Sequence, residues 1–177
     1  MDGESSVKKA FELILQNDFE GAIHWFEQAI AADPGNASYY HRCAVSCARS
    51  EKWQRAKVYA DTAEQMEPDN EEYRYHAKVV QAKLFILEAN HLLAAERPSW
   101  NEAEDLLMRA VSLDPICFEG YYTLALVYGE LDRLDEAASN AREALRLDPQ
   151  HAAARRLFAD LNRKRRMQRN RTNNRRK

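Results

Sequence analysis

One spacing constrains this chain more than its composition does. Asp33-Pro34, Glu67-Pro68, Asp114-Pro115 and Asp148-Pro149 set four prolines 34, 47 and 34 residues apart, so the middle interval is one period with 13 residues added. Twelve residues before each proline stands an alanine: Ala22, Ala56, Ala103 and Ala137. Seven residues further on stands another: Ala29, Ala63, Ala110 and Ala144. Proline ends a helix, because the residue before it is pushed out of the α region and its own nitrogen carries no proton. Alanines that recur at one helical position mark places where two helices approach closely, since only a small side chain leaves room there. A fixed period built from breakers and small residues is the pattern of a stacked helical repeat.

Composition narrows the fold class further. The 177 residues hold only 5 Gly and 5 Pro, with 45% hydrophobic and 31% charged side chains, too few turn formers for a sandwich, a barrel or a Gly-rich nucleotide fold. The length suits one compact domain or one short repeat array. The opening Met1-Asp2-Gly3-Glu4-Ser5-Ser6 has no basic start, and no apolar run reaches the length of a signal or membrane segment, which predicts a soluble, cytoplasmic protein without a transmembrane segment. Three cysteines are an odd number; they imply no disulfide framework and a reducing compartment.

The period and its residue set resemble the tetratricopeptide repeat. Repeat 1, residues 3–36, carries Asn17-Asp18-Phe19-Glu20-Gly21-Ala22-Ile23, then Phe26, Ala29 and Pro34. Repeat 2, residues 37–70, carries Tyr40, Ala44, Trp53, Ala56, Ala63 and Pro68. Repeat 4, residues 118–151, carries Tyr121, Leu124, Ala125, Tyr128, Leu134-Asp135-Glu136-Ala137-Ala138, Ala144 and Leu147-Asp148-Pro149. The resemblance implies an all-α, right-handed superhelical array of antiparallel helix pairs, closed by an extra helix over 152–162 whose apolar stripe is Leu157, Phe158 and Leu161.

Repeat 3, residues 71–117, holds the 13-residue insertion. From Glu71 to Glu96 there is no Gly or Pro, which predicts one long helix and about nine helices in all. Pro98 ends it, and Ser99-Trp100-Asn101-Glu102 has the form of a capping box for the next helix. Two apolar stripes run along the long helix. One is Tyr73, Ala77, Val80, Leu84, Leu87, His91 and Ala94; the other is Tyr75, Val79, Ala82, Ile86, Ala89 and Leu93. Two readings stand: burial between neighbouring helices, or a seam for self-association into a homo-oligomer.

For function, the resemblance implies a non-enzymatic interaction module, an adaptor or scaffold that holds a partner peptide or helix in a concave groove. Carried over by repeat position, that groove is lined by Val7, Lys8, Phe11, Ile14 and Leu15 in repeat 1, and by His41, Arg42, Val45 and Arg49 in repeat 2. Repeat 3 supplies Tyr75, His76, Val79 and Lys83, and repeat 4 supplies Tyr122, Thr123 and Leu126. The middle of this set is basic and aromatic, which on an acidic body suits an acidic peptide. Family members that clamp the acidic tails of chaperones use two lysines, two asparagines and an arginine. The corresponding positions here hold Val7, Phe11, Arg42, Glu72 and His76, which do not match, and Glu72 would repel such a ligand. Neither a phosphate-binding glycine cluster nor a zinc or nucleophile motif is present, so no catalysis, cofactor or metal is expected. Cys43 and Cys47 share a helix face near His41 but lack a second pair of ligands, which makes them packing residues.

Net charge is −2, yet residues 1–154 hold 15 Lys/Arg against 27 Asp/Glu, while residues 155–177 hold 11 against Asp160 alone. The basic run Arg163, Lys164, Arg165 and Arg166 opens a segment, 163–177, expected to be a disordered tail. Three roles suit it. It can associate with RNA, ribosomes or an anionic membrane; Arg163 to Arg166 can serve as a nuclear address; or the segment can fold back on the acidic body.

Overall fold

The computed structural model describes residues 2–174, with side chains up to Asn170. Among the described residues every regular element is an α-helix: α1 (Gly3–Leu15), α2 (Phe19–Ala32), α3 (Ala37–Arg49), α4 (Trp53–Met66), α5 (Glu71–Leu93), α6 (Trp100–Leu113), α7 (Phe118–Glu130), α8 (Leu134–Leu147) and α9 (Ala152–Asn174). They form two compact units, with the boundary inside α5 between Leu84 and Phe85. In unit 1, α1 packs on α2, α2 on α3 and α3 on α4. In unit 2, α6 packs on α7, α7 on α8 and α8 on α9.

The periodic residues do what their spacing requires. All eight repeat alanines are 0% exposed. The N–H before each proline closes the helix: Asp33, Glu67, Asp114 and Asp148 donate to the carbonyls of Ala29, Ala63, Ala110 and Ala144 at 3.0, 3.1, 2.9 and 2.9 Å. Each second alanine thus allows a close helix contact and accepts the last helical bond. Within the pairs the turn passes through a left-handed residue, Asn17, Glu51 or Asp132, with φ of 59°, 58° and 55°. The next N–H, of Asp18, Lys52 or Arg133, returns to Leu13, Cys47 or Tyr128 at 2.9 Å in each case. In unit 2, a Cβ on Gly120 would come within 2.8 Å of Val111 Cγ1, so glycine is what lets α7 approach α6 there.

Unit 1 buries Ile23, Phe26, Cys43, Ala44, Cys47 and Ala60, joined by Ala77 and Val80 of α5. Burying a side chain the size of Phe26 is worth about 2 to 3 kcal/mol. Unit 2 buries Leu107, Leu124, Val127, Leu134 and Leu161, with Ile86 and Ala89 of α5. The two halves of α5 therefore serve different units: Tyr73, Ala77, Val80 and Ala82 are buried in the half that belongs to the first, Ile86 and Ala89 in the half that belongs to the second. Of the second stripe, Tyr75 is left exposed at 48%.

Three expectations need correction. The long helix stops at Leu93 rather than Glu96, because Ala94, Ala95 and Glu96 are exposed and the chain must leave the α region before Pro98. Ser99 is the N-cap of α6, but its side chain makes no capping bond. The third concerns the basic segment, which is helical as far as Asn174 rather than a disordered tail. Arginine and lysine are good helix formers. In addition, Arg163 donates to Asp160 on its own helix at 2.9 Å and Arg165 donates to Asp135 of α8 at 2.6 Å. Residues 175–177 lie outside the described residues.

Candidate functional site

In unit 1, helices α1, α2, α3 and the first turn of α5 enclose a pocket of about 330 Å³. Its floor is Phe26, whose ring meets that of Phe11 edge-on with centroids 5.9 Å apart. Phe11 is 41% exposed and forms one rim, and Ile14 and Val45 extend the apolar lining. The α3 wall begins where Asn36 Oδ1 accepts from Ser38 N at 3.1 Å and starts the helix. Ser38, Arg42 and Val45, at steps of four and three, then share one face. Arg42 Nε donates to Ser38 Oγ at 3.0 Å, and its guanidinium lies 4.8 Å from the centre of the Phe11 ring. Among the described residues no carboxylate pairs with Arg42. Ser46 spends its hydroxyl on the Arg42 carbonyl at 3.1 Å.

The facing wall is His41, Glu72 and Tyr73. Asn70 Oδ1 accepts from the N–H groups of Glu72 and Tyr73 at 3.1 and 3.3 Å, which fixes where α5 begins. His41 stacks on Tyr73 at 4.6 Å and stands nearly perpendicular to His76 at 5.0 Å. Glu72 Oε1 lies 3.3 Å from His41 Nε2, so the glutamate is engaged within the wall. Burial lowers the His41 pKa, and the Glu72 carboxylate opposes that only in part. Burial, with the neighbouring His41, brings His76 down to about 4. Nδ1 of each imidazole is buried without a hydrogen-bond partner. The result is an apolar floor, a wall of neutral imidazoles that holds the Glu72 carboxylate, and one guanidinium, that of Arg42, without a carboxylate partner. Such a pocket can take an apolar side chain and a neighbouring carboxylate together.

Of the predicted groove residues, Phe11, His41, Arg42 and Val45 line this pocket, as does Ile14, and His76 backs it. Val7 packs against the core. Lys8, Leu15 and Arg49 are exposed outside the lining. On α5, Val79 is half-buried, and Lys83 Nζ lies 5.7 Å from the centre of the Trp53 ring. In unit 2, Tyr122 lies against Phe118 and His151 at 5.7 and 5.4 Å, and Leu126 is exposed. Thr123 is buried, at 7% exposure, and is no groove residue. It shares the inward face of α7 with Val127, four residues on, whereas Tyr122 and Leu126 share the next face. Carry-over by position missed Phe26, Ser38, Ser46 and Tyr73. Ser38 was within reach of sequence reasoning, two residues after a capping Asn and four before an Arg. Tyr73 was not, because its contact with His41 is tertiary.

Cys43 and Cys47 are fully buried in the unit 1 core. Among the described residues no group of three or more His, Cys, Asp or Glu is disposed to hold a metal ion, and no helix is long and apolar enough to cross a membrane. On α9, Arg165 and Arg169 reach Asp135, while Lys164 lines a shallow surface depression with Asp132, Leu134 and Met167. Arg163 and Arg166 are exposed.

Residues 4–36 and residues 118–151 each match a family model described as tetratricopeptide repeat. Among solved structures, the chain is similar to MamA from Desulfovibrio magneticus RS-1, residues 41 to the end, at 16% identity over 92% of this chain and 85% of that one, with a TM-score of 0.55. MamA of AMB-1 is similar at 18% identity over 92% and 81%, with a TM-score of 0.56. At these identities the likeness is one of fold.

Proposed function

We propose, on the premise that this chain is a tetratricopeptide-repeat protein, that it is a non-enzymatic interaction module that seats an acidic peptide segment of a partner protein in the unit 1 pocket. The observation that carries this reading is Arg42. Its guanidinium is held by Ser38 and rests on Phe11 at the mouth of a pocket with an apolar floor, and it has no carboxylate of its own, the Glu72 carboxylate of the facing wall being engaged by His41. A cation fixed in this way loses little entropy when it pairs with a partner's carboxylate. The pocket floor supplies the apolar contact that charge pairing alone would lack. No cofactor is needed for this role. The test is a peptide array that varies acidic and apolar content, followed by calorimetry on the peptides that bind. Arg42→Glu is expected to weaken binding at least tenfold without loss of helicity by circular dichroism, and Val45→Asp to act likewise. Arg49→Glu, outside the pocket, is expected to change affinity less than threefold. Unaltered affinity in Arg42→Glu would remove the assignment.

A further inference from the structure

Between Ala152 and Asn170 the exposed arginines of α9 have an order on its surface. At roughly 100° per residue, Arg155 and Arg166 fall within about 20° of one another, and so do Arg156 and Arg163. The two rows stand roughly 80° apart. The strip between them holds Ala152, Ala159 and Asn170, and all seven of these residues are exposed. The opposite side of α9 faces the protein, with Ala154 and Leu161 buried and Leu157 and Phe158 half-buried. Charge on the outer side is nearly uncompensated. Asp160, the one acid in α9, engages Arg163 at 2.9 Å. Arg155, Arg156 and Arg166 have no carboxylate partner among the described residues. The acids of α8 are already engaged: Asp135 by Arg165, Glu136 by Arg133 and Glu143 by Arg146.

We propose that this face of α9 docks on duplex DNA, seated in the major groove with the two arginine rows on the phosphates of the two strands. The inference is independent of the pocket in unit 1. Two cationic rows flanking small residues suit a groove with two anionic walls. The small strip lets the helix axis sink between the walls while the guanidiniums reach outward. An α-helix with side chains is about 10–12 Å across, and the major groove of B-form DNA is about 12 Å wide. From Arg155 to Arg166 the rows extend roughly 16 Å along the axis, long enough to meet several phosphates. Other polyanions fit less well. Single strands are held by stacking on aromatic rings, and the outer face of α9 has none. Helices that lie in a membrane surface use a row of bulky apolar residues, whereas this face offers only Met167 at its edge. The major groove of an A-form duplex is too narrow to admit a helix. With only alanines and one asparagine in the strip, binding is expected to depend little on base sequence.

The experiment is fluorescence anisotropy of the full chain with a labelled mixed-sequence DNA duplex, titrated from 50 to 200 mM NaCl. Matched single-stranded DNA and RNA, double-stranded RNA, and phosphatidylcholine vesicles containing phosphatidylserine serve as competitors. The variant combines Arg155→Ala, Arg156→Ala, Arg163→Ala and Arg166→Ala. Alanine preserves helix propensity, and circular dichroism confirms that the helix content is kept. Four phosphate contacts carry a slope of about 3 to 4 in log affinity against log salt. The variant is therefore expected to lose about that much of the slope and at least tenfold in affinity at 50 mM. The proposal fails if the duplex does not bind at 50 mM salt or the variant keeps the full slope. It fails equally if single strands, double-stranded RNA or vesicles compete more strongly than unlabelled duplex DNA.

Discussion

His41 in unit 1 and Tyr122 in unit 2 hold the same place in their repeats, the fifth residue of α3 and of α7. Around His41 a pocket opens toward Phe11 and Arg42. Around Tyr122 the space is taken by rings, with Phe118 stacked at an interplanar angle of 11° and His151 tilted against both. The residue that begins each helix differs as well. It is Ala37 in α3 and Phe118 in α7. The same helix position thus borders a pocket in one unit and lies in a packed aromatic group in the other.

The largest expected effect tests whether the two units differ in stability as well as in lining. Phe26→Ala removes the pocket floor and a fully buried ring, at a cost of about 3 to 5 kcal/mol. Hydrogen exchange should show α1 to α4 losing protection while α7 and α8 keep theirs. Equal loss in α7 and α8 would mean that the chain unfolds as one body and that the comparison holds for side chains only.

A smaller effect is expected from pH. The pKa of His76 falls from an ordinary 6.5 to about 4 in the folded chain. Between those values the unfolded chain binds a proton that the folded chain does not, so stability falls as pH falls. The groups facing His76 are His41, itself lowered by burial, and the Glu72 carboxylate, whose pull is too weak to reverse the shift. The loss from pH 7 to pH 4.5 should be about 2 kcal/mol after allowance for partial solvent screening. Urea unfolding at the two pH values, with and without His76→Gln, measures it. If His76→Gln leaves the pH dependence unchanged, the imidazole pair is not its source.

The period of alanines and prolines made the helices legible, because each marks a steric demand that every repeat must meet. All eight alanines and all four proline turns act as that demand requires. What the period could not show was set by contacts between repeats. Thr123 has a groove position in the repeat, yet the inward face of α7 takes it up together with Val127. His41 and Tyr73 are far apart in sequence, and their stacking depends on where α5 starts. The basic segment has the composition of a disordered arm, but Asp135 on α8 receives Arg165 and ties that segment to a neighbouring helix. Charge composition alone carries no information about such a partner.

The smallest expected effect concerns how the helices begin, where the two units differ again. Asn36 and Asn70 precede α3 and α5, and each accepts N–H bonds from the first turn. His151, at the same place before α9, accepts from Ala154 N through Nδ1 at 3.2 Å. Cys117 precedes α7 with a backbone nearly identical to that of Asn36, φ −79° and ψ 98° against φ −98° and ψ 99°, but its side chain makes no capping bond. Sulfur is a weak acceptor and asparagine is among the best N-caps. Cys117→Asn should therefore stabilise the chain by about 1 kcal/mol, a shift of several degrees in Tm if unit 2 melts as its own domain. The gain should appear as slower hydrogen exchange in the first turn of α7. Asn36→Ala in unit 1 should give a loss of similar size, confined to α3. If Cys117→Asn left both exchange in α7 and the Tm unchanged, the missing cap would have no energetic weight. The contrast between the units would then reduce to the side chains around His41 and Tyr122.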